Sequence, residues 1–333
     1  MNPSPSMLDP QKTAAMLSAV LRATAGAETR LVSWTAHPLS KRGKRRAVRY
    51  DVAAGGVDGA PARSYQWAGK FYERAAAARR VTTILQQLAR ADCARRGGLV
   101  IPSVVAYYPP CRLLLLTYEM GGSVIAALAQ NAAWAVTVIG RGIAALHAAP
   151  APRQTLDGGV AVLEDLRRRI ADLCVRFPGQ AATLKRALRQ LERQTPAGSA
   201  APSFIHGDLG PAQLLWQNGR LVVLDFDKAS RGDRALDLGN LFTQLRRLAL
   251  RKPRKLPDFV SLRRGILEVY QRHSPSDPSL TRRIAWYERV TLLRKIDFLV
   301  SDTTRPKPRA VGRERHAEAI RLLWELPGLL RSD

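Results

Sequence analysis

The chain has 333 residues, of which 46% are hydrophobic and 24% are charged, so disordered, collagen-like and coiled-coil classes are excluded. That length exceeds what one compact core usually reaches, and we expect two domains. Lysine and arginine number 53 against 27 aspartates and glutamates, a formal net charge of +26 that favours anionic ligands. The basic clusters are dispersed along the chain, which is typical of solvated surfaces, so nucleic acid remains only a rival partner.

Targeting signals and cysteine spacing indicate the cellular compartment in which the protein is expected. No apolar run approaches the length of a bilayer-spanning helix, so we expect no membrane span. Residues 13–21 are apolar, but Asp9 and Arg22 flank them closely, which favours an amphipathic helix over a secretory signal. The three cysteines lack Cys-x-x-Cys spacing, which predicts a reducing compartment without a disulfide frame or zinc site. We therefore expect a cytoplasmic protein whose oligomeric state the sequence leaves open.

The predicted elements change character along the chain. Helical spacing of apolar residues predicts a helix over 8–25. Alternation then predicts strands from Leu31 and over 47–52 and 64–72, a helix at 74–90, and strands near 99–107 and 112–118. The remainder is predicted to be helical, at 123–148, 160–176, 179–194, 235–250, 257–272, 279–300 and 311–330, except for one hairpin at about 213–225. These patterns predict an α+β protein with a sheet-rich N-terminal lobe, 1–119, and a helical C-terminal lobe, 120–333.

The candidate catalytic and metal-binding residues are concentrated around that hairpin. Asn218-Gly219 separates two apolar runs and predicts a two-residue turn. Pairing about this turn brings Gln213 and Asp225 to the same end of the hairpin, while Asp208 lies on the loop that enters it. Phosphoryl transfer needs such a set: one carboxylate accepts the hydroxyl proton, and other oxygen ligands hold magnesium against the phosphates. Taken singly, each acid would be an ordinary turn or strand-end residue.

This segment resembles the catalytic core of the aminoglycoside phosphotransferase and choline kinase family, which has the protein-kinase-like fold. The shared residues are His206-Gly207-Asp208, a carboxamide five positions later, Asp225-Phe226-Asp227 at a strand end, and Asp237-Leu238-Gly239. Gly69-Lys70, Leu113–Gly122 and Gly142–His147 are similar to the family's strand lysine, its last small-lobe strand with the hinge, and its helix that ends in Leu-His. The resemblance implies a two-lobed fold with a small antiparallel-sheet N-terminal lobe and a mainly helical C-terminal lobe.

The resemblance also implies roles for individual residues. Asp208 would be the catalytic base, and Asp225 the principal magnesium ligand, with Asp227 as a further ligand or a neighbour of one. Gln213 stands where the family usually has Asn, so the second metal position must shift or use a bridging water. Lys70 would contact the α- and β-phosphates of the nucleotide.

The sequence departs from the family pattern around the nucleotide. Residues 75–90 contain no acid to pair with the strand lysine, so we prefer Glu73 at the helix start over Asp92 beyond its end. No glycine-rich phosphate loop is present, and Lys41 and Lys44 in the turn between the first two strands are our candidates to cover the phosphates.

The hinge and the acceptor complete the prediction. The backbones of Thr117 and Glu119 would face the adenine edge. We predict a kinase that transfers the γ-phosphate of ATP or GTP, with Mg²⁺, to a hydroxyl of a neutral or anionic metabolite or antibiotic. The arginine-rich helices disfavour a polycation, unless the acids at 164, 165, 288 and 297 converge into an acidic patch. The alternatives are an aminoglycoside-type resistance kinase, a nucleotide-binding pseudokinase with a regulatory role, and a basic nucleic-acid-associated protein.

Overall fold

The structure, a computed structural model, describes residues 9–39, 46–55, 63–91, 98–155, 159–196, 201–256, 258–301 and 309–330. The helices are α1 (Pro10–Ala25), α2 (Ala75–Arg90), α3 (Val124–Gln130), α4 (Ala132–His147), α5 (Gly159–Arg176), α6 (Ala181–Arg193), α7 (Ala235–Arg251), α8 (Phe259–Arg272), α9 (Leu280–Ser301) and α10 (Arg309–Leu330). The strands are β1 (Arg30–Pro38), β2 (Arg46–Gly55), β3 (Arg63–Phe71), β4 (Leu99–Val100), β5 (Val104–Tyr108), β6 (Leu113–Thr117), β7 (Gly122–Ser123), β8 (Ser203–Ile205), β9 (Leu214–Gln217), β10 (Arg220–Val223) and β11 (Ser230–Gly232). None of the helices described here is both long and apolar enough to cross a membrane.

The chain divides into two compact units. The first contains Met1–Asp92, Val100–Gly121 and Val222–Asp227, and the second contains Cys93–Leu99, Gly122–Leu221 and Lys228–Asp333. Between α2 and α3, the chain passes from the first unit to the second after Gly121. The segment Val222–Asp227 belongs to the first unit although it lies about 100 residues beyond Gly121 in the sequence. A division of the sequence at a single boundary does not predict this.

The first unit is built on a five-stranded antiparallel sheet of order β1-β2-β3-β6-β5. Helix α1 packs on it because its apolar stripe, which includes Leu17 and Leu21, is fully buried against sheet residues such as Leu115. Along the central strand β3, Trp67 faces this core while Lys70, three positions later, lies on the opposite face. The packing of β3 thus presents a lysine outside the core.

Two elements that the sequence predicts as continuous are interrupted, and both predictions are wrong in this respect. The strand expected at 99–107 splits into β4 and β5, which lie in different sheets, because Pro102 between them has no N–H for a ladder. The helix expected at 123–148 breaks at Asn131, whose Oδ1 accepts a hydrogen bond from the Trp134 N–H at 3.1 Å. Asn131 therefore caps a new helix, as Asn does well.

The second unit is mainly helical. Helix α7 packs on α9, α4 on α8, α9 on α10, and α5 on α6. The antiparallel pair of β7 with β9 and a second antiparallel pair, β8 with β11, accompany the helices. The predicted hairpin turn is confirmed, since Asn218 and Gly219 have φ values of 47° and 78°, as the tight hairpin turn requires.

A buried ion cluster joins the start of α9 to the segment before α7. The Arg283 side chain is only 3% exposed and lies 2.8 Å from carboxylate oxygens of both Asp233 and Asp277. Arg234 adds a second contact to Asp277 at 3.0 Å. Hydrogen bonds from the Arg283 guanidinium are the main reason that the pKa of Asp277 lies well below its usual range.

Candidate active site

In the first unit, two carboxylates share one lysine. The Lys70 Nζ lies 2.7 Å from Oδ1 of Asp225 and 2.6 Å from Oδ1 of Asp227. Tyr72 donates its hydroxyl to Asp227 Oδ1 at 2.9 Å, and Arg80 donates to the Asp227 backbone carbonyl. Burial and the neighbouring charge of Asp227 raise the pKa of Tyr72, so its hydroxyl remains a donor at physiological pH. The cluster is thus held by cations and hydrogen-bond donors.

The backbone after β10 explains why these carboxylates lie side by side. Asp225 has a φ of 66°, the left-handed region that a non-glycine residue occupies at a cost of roughly 1–3 kcal/mol. Phe226 then starts a 3₁₀ turn and is buried, with 2% exposure. The buried ring anchors the turn, so the acids on either side of it both reach Lys70. Strain at an acid of this kind is typical of functional sites.

The partner that we preferred for Lys70 is wrong. In the part of the chain that is described, the carboxylates in contact with Lys70 are those of Asp225 and Asp227, whereas Glu73 is exposed and makes no contact with it. The absence of an acid on α2 is therefore compensated by the residues that follow β10. The alternative Asp92 lies outside the described residues, as do Lys41 and Lys44.

The hinge residues differ in what they offer a ligand. The Thr117 N–H donates to the Ser103 carbonyl at 2.9 Å, so this donor is already used inside the protein. The Thr117 hydroxyl donates to the Glu119 carboxylate at 2.6 Å. Within the described chain, the backbone of Glu119 makes no hydrogen bond, which leaves its N–H and carbonyl for a ligand.

In the second unit, the loop after β8 carries Asp208. Gly207 has a φ of 77°, and a Cβ at this position would come within 2.5 Å of the Lys228 carbonyl oxygen, so the turn requires glycine. This close approach sets Asp208 beside Lys228, whose Nζ lies 3.2 Å from Asp208 Oδ2. The Asp208 backbone N–H also faces Nδ1 of His206 at 3.3 Å.

The buried carboxylate of Asp237 binds the backbone of this loop. Its two carboxylate oxygens accept the backbone N–H groups of His206 at 2.6 Å and Gly207 at 2.8 Å. His147 joins Oδ2 at 3.2 Å through Nε2 and the Tyr270 hydroxyl at 2.9 Å through Nδ1. Burial acts to raise the pKa of Asp237, but the hydrogen bond and charge of His147 and the contacts of His206 hold it below its ordinary value. An ionised carboxylate therefore fixes the backbone immediately before Asp208.

Gln213 lies at the end of a short 3₁₀ turn, Pro211–Gln213, just before β9. Its N–H donates to the Gly210 carbonyl at 3.0 Å, and its Oε1 would be 3.3 Å from a Cβ built on Gly210. The amide oxygen therefore folds back over the loop that also carries Asp208.

A cavity of about 340 Å³ opens beside Asp208 within the second unit. Its walls are the loop after β8, Lys228, and side chains of α7 and α9. Sequence reasoning missed the α7 contribution, although the signal is present. On this mainly apolar helix, Asp237, Asn240, Gln244 and Arg247 recur at spacings of three and four, which puts their polar side chains on one face, buried or half-buried.

The sequence matches the phosphotransferase enzyme family over residues 57–272, more than half of the chain. The chain belongs to this family. The prediction of a phosphotransferase is confirmed by that match, which spans Lys70, the loop with Asp208 and the hairpin with Asp225. Curated proteins, in contrast, include no match to this phosphotransferase.

Solved structures similar to the phosphotransferase confirm its α+β, protein-kinase-like fold. Macrolide 2′-phosphotransferase MphH from Brachybacterium faecium is 16% identical, with a TM-score of 0.56, over 92% of this chain and 98% of its own. The GDP complex of aminoglycoside 2′-phosphotransferase-IIIa is 15% identical, with a TM-score of 0.59, over 95% and 98%. ADP-bound aminoglycoside phosphotransferase APH(2″)-Ib is 13% identical, with a TM-score of 0.59, over 96% and 99%. At these identities the likeness concerns the fold alone.

Proposed function

We propose that the phosphotransferase transfers the γ-phosphate of ATP or GTP to a hydroxyl of a neutral or anionic metabolite or antibiotic, with Mg²⁺. The observation that carries the proposal is the position of Asp208, a half-buried carboxylate at the wall of a cavity of about 340 Å³. That volume is of the size that binds small molecules. The Thr291 hydroxyl donates to Asn240 Oδ1 at 2.7 Å, and the side-chain N–H groups of Asn240 on the same cavity wall suit a polyhydroxylated acceptor.

Asp208 acts as the base of the reaction. The acceptor hydroxyl donates its proton to the Asp208 carboxylate, its oxygen forms a bond to the γ-phosphorus, and the bond from that phosphorus to the bridging oxygen breaks. The nucleoside diphosphate leaves with the electron pair of the broken bond. Positioning supplies most of such a rate enhancement, and the hydrogen bonds from His206 and Gly207 to Asp237 keep the loop fixed.

The oxygen donors present fit a magnesium ion. Asp225 and Asp227 supply two adjacent carboxylates, which are the ligands that Mg²⁺ prefers together with water and substrate phosphates. Among the residues that the structure describes, no three His, Cys, Asp or Glu side chains form a metal cluster. We therefore assign the protein's share of the ligands to Asp225 and Asp227, with the neutral amide of Gln213. When bound, the ion would neutralise charge on the transferring phosphate.

Nucleotide binding uses further residues of the first unit. We assign the α- and β-phosphates to Lys70, and the purine edge to the backbone of Glu119 and the carbonyl of Thr117. Support for Glu119 comes from its uncommitted backbone groups within the described chain. Lys41 and Lys44 remain our candidates to cover the phosphates. Two of the three solved structures named above contain GDP or ADP, in keeping with a nucleotide site.

Phosphate transfer from labelled ATP and GTP to a panel of hydroxylated metabolites and antibiotics tests this function. We expect incorporation that requires Mg²⁺ and is lost in Asp208→Asn. Binding of Mg-nucleotide without transfer to any panel member or to water would favour a pseudokinase. Binding of polynucleotide with a steep loss of affinity in salt would instead favour the nucleic-acid alternative.

A further inference from the structure

The cavity beside Asp208 is lined by more cations than anions. Four of its lining residues are cationic, and Asp208 is the single carboxylate among the lining residues that the structure describes. The cationic residues are Lys228, Arg247, Arg294 and Lys295. A cavity of this sign attracts anions and repels cations.

Three of the four cations already have a carboxylate partner. Arg247 binds Glu318 at 2.5 Å, with both side chains about 10% exposed or less, and Arg294 binds Asp165 at 2.9 Å. Lys228 binds Asp208 itself. These contacts fix the walls of the cavity and neutralise most of its charge.

Lys295 is different. No ion pair involves it in the described part of the chain, and its Nζ lies over the ring of Phe298, 4.3 Å from the ring centre. Burial lowers the pKa of Lys295 to about 8, and the charges of Arg247 and Arg315 act in the same direction. The charges of Glu318 and Asp208 act in the opposite direction, but neither carboxylate forms an ion pair with Lys295 within the described chain. An oxyanion bound at Lys295 would supply that direct contact. The cavity therefore has an unmatched positive site.

Three of the acidic residues that could bind a polycation form ion pairs with arginines of the protein itself. Asp165 and Asp297 both bind Arg169, at 3.0 and 2.5 Å. Glu288 receives two hydrogen bonds from Arg263, at 2.9 and 2.8 Å. Of the four acids that the sequence suggested for an acidic patch, these three are paired with arginine, and the fourth, Glu164, is exposed on α5.

We propose that the acceptor is an anion whose carboxylate or phosphate group binds Lys295, while a hydroxyl of the same molecule lies at Asp208. The inference rests on the proposed function, and it narrows the acceptor from neutral or anionic compounds to anionic ones. Lys295 thereby becomes a specificity residue. Arg247 lines the same cavity, but its charge is balanced by Glu318, so Lys295 is the cation left for the acceptor.

Matched pairs of acceptors test this proposal: glycerol with glycerate, glucose with glucuronate, and ribose with ribose 5-phosphate. We expect the anionic member of at least one pair to have a kcat/KM at least roughly tenfold higher than its neutral partner, since hydrogen bonds to charged groups are the stronger ones. Lys295→Met should abolish this preference. Lys185→Met, which removes the same charge from an exposed position on α6, should retain it. The carboxylate and phosphate pairs tell apart the two anion sources.

The pH dependence supplies a second readout. The KM of the anionic acceptor should rise as pH increases through about 8, because Lys295 loses its charge there. Lys295→Arg should keep the KM low above that pH. The charged groups that face Lys295 are Arg247 on α7, Arg315 and Glu318 on α10, Asp208 and Lys228 beside the loop, and Arg294 on α9.

Sulfate makes the test independent of turnover. In protein with ¹³C-methylated lysines, the resonance absent from Lys295→Met should titrate at higher pH in sulfate than in chloride at equal ionic strength. A resonance whose titration is the same in sulfate and chloride would contradict the proposal of an anionic acceptor. Phosphate transfer that favours the neutral members of the pairs or kanamycin-type polycations would also contradict it. Neither result would contradict the proposed kinase activity. A sulfate response without phosphate transfer to any compound would support the anion site and refute the proposed function instead.

Discussion

The Nζ of Lys70 lies 2.7 Å from Oδ1 of Asp225, although the two residues are 155 positions apart. The lysine that we assign to the phosphates therefore contacts the carboxylate that we assign to magnesium. When Mg-nucleotide binds, phosphate oxygens would replace the carboxylate at Lys70, and the metal would replace the lysine at Asp225. Lys70 would thus exchange one anionic partner for another, and Asp225 one cationic partner for another.

Asp225→Ala should eliminate the magnesium-dependent part of nucleotide binding, because the ion loses a full negative charge. Gln213→Asn should keep nucleotide affinity within about threefold, since the ligand remains a neutral amide oxygen. Calorimetric titration with nucleotide, in the presence and absence of Mg²⁺, measures both variants. Unaltered Mg-nucleotide affinity in Asp225→Ala would show that the metal lies elsewhere.

Asp208→Asn should reduce turnover by at least about a hundredfold, because a positioned base contributes on this scale. Nucleotide affinity should stay the same, since we assign the nucleotide to residues of the first unit. Steady-state kinetics and nucleotide titration make the comparison, with the exposed Asp172→Asn on α5 as a control that removes the same charge. Turnover within about threefold of the wild type would contradict the role of Asp208.

Asp237→Asn should destabilise the protein by about 1–3 kcal/mol, because one amide oxygen cannot accept both buried N–H groups of the loop. Since the pKa of Asp237 is lowered in the folded state, its contribution is fully present above about pH 3.9 and is lost as pH falls below that value. Denaturant unfolding between neutral and acidic pH should therefore show a steeper acid loss in the wild type than in the variant. Parallel curves would contradict the hydrogen-bonded carboxylate.

Arg283→Met should cost about 3–5 kcal/mol, because it leaves Asp233 and Asp277 without their shared buried cation. Urea unfolding at neutral pH measures the loss. Arg272→Met, an exposed arginine at the end of α8, should change stability by no more than about 0.5 kcal/mol. Equal effects of the two substitutions would mean that the cluster does not stabilise the fold.

The sequence was informative where local rules decide the structure. Asn218-Gly219 predicts the hairpin turn because few residues tolerate positive φ, and both do adopt it. The alternation around Trp67 predicts strand β3 and leaves Lys70 off the core face. The motif from His206 to Asp208 identifies the loop, because a glycine in that position permits a close backbone approach.

Long-range partners were not predictable in the same way. Nothing local indicates that Lys70 contacts Asp225 and Asp227, since the contact depends on the left-handed turn after β10. The pairing of Lys228 with Asp208 depends likewise on the packing of Gly207 against the Lys228 carbonyl. Such contacts follow from tertiary structure, and spacing in the sequence does not encode them.

The polar stripe on α7 has an evolutionary consequence. Asp237 holds the loop before Asp208, and Asn240, Gln244 and Arg247, further along the same stripe, line the cavity. One inserted or deleted residue would rotate everything beyond it by about 100° around the helix axis. Point substitutions can thus change which acceptor the enzyme binds. A change in the length of α7 would instead move the cavity-lining residues out of alignment with the loop that carries Asp208. Lineages of this protein should vary in the identity of these positions and keep their spacing constant.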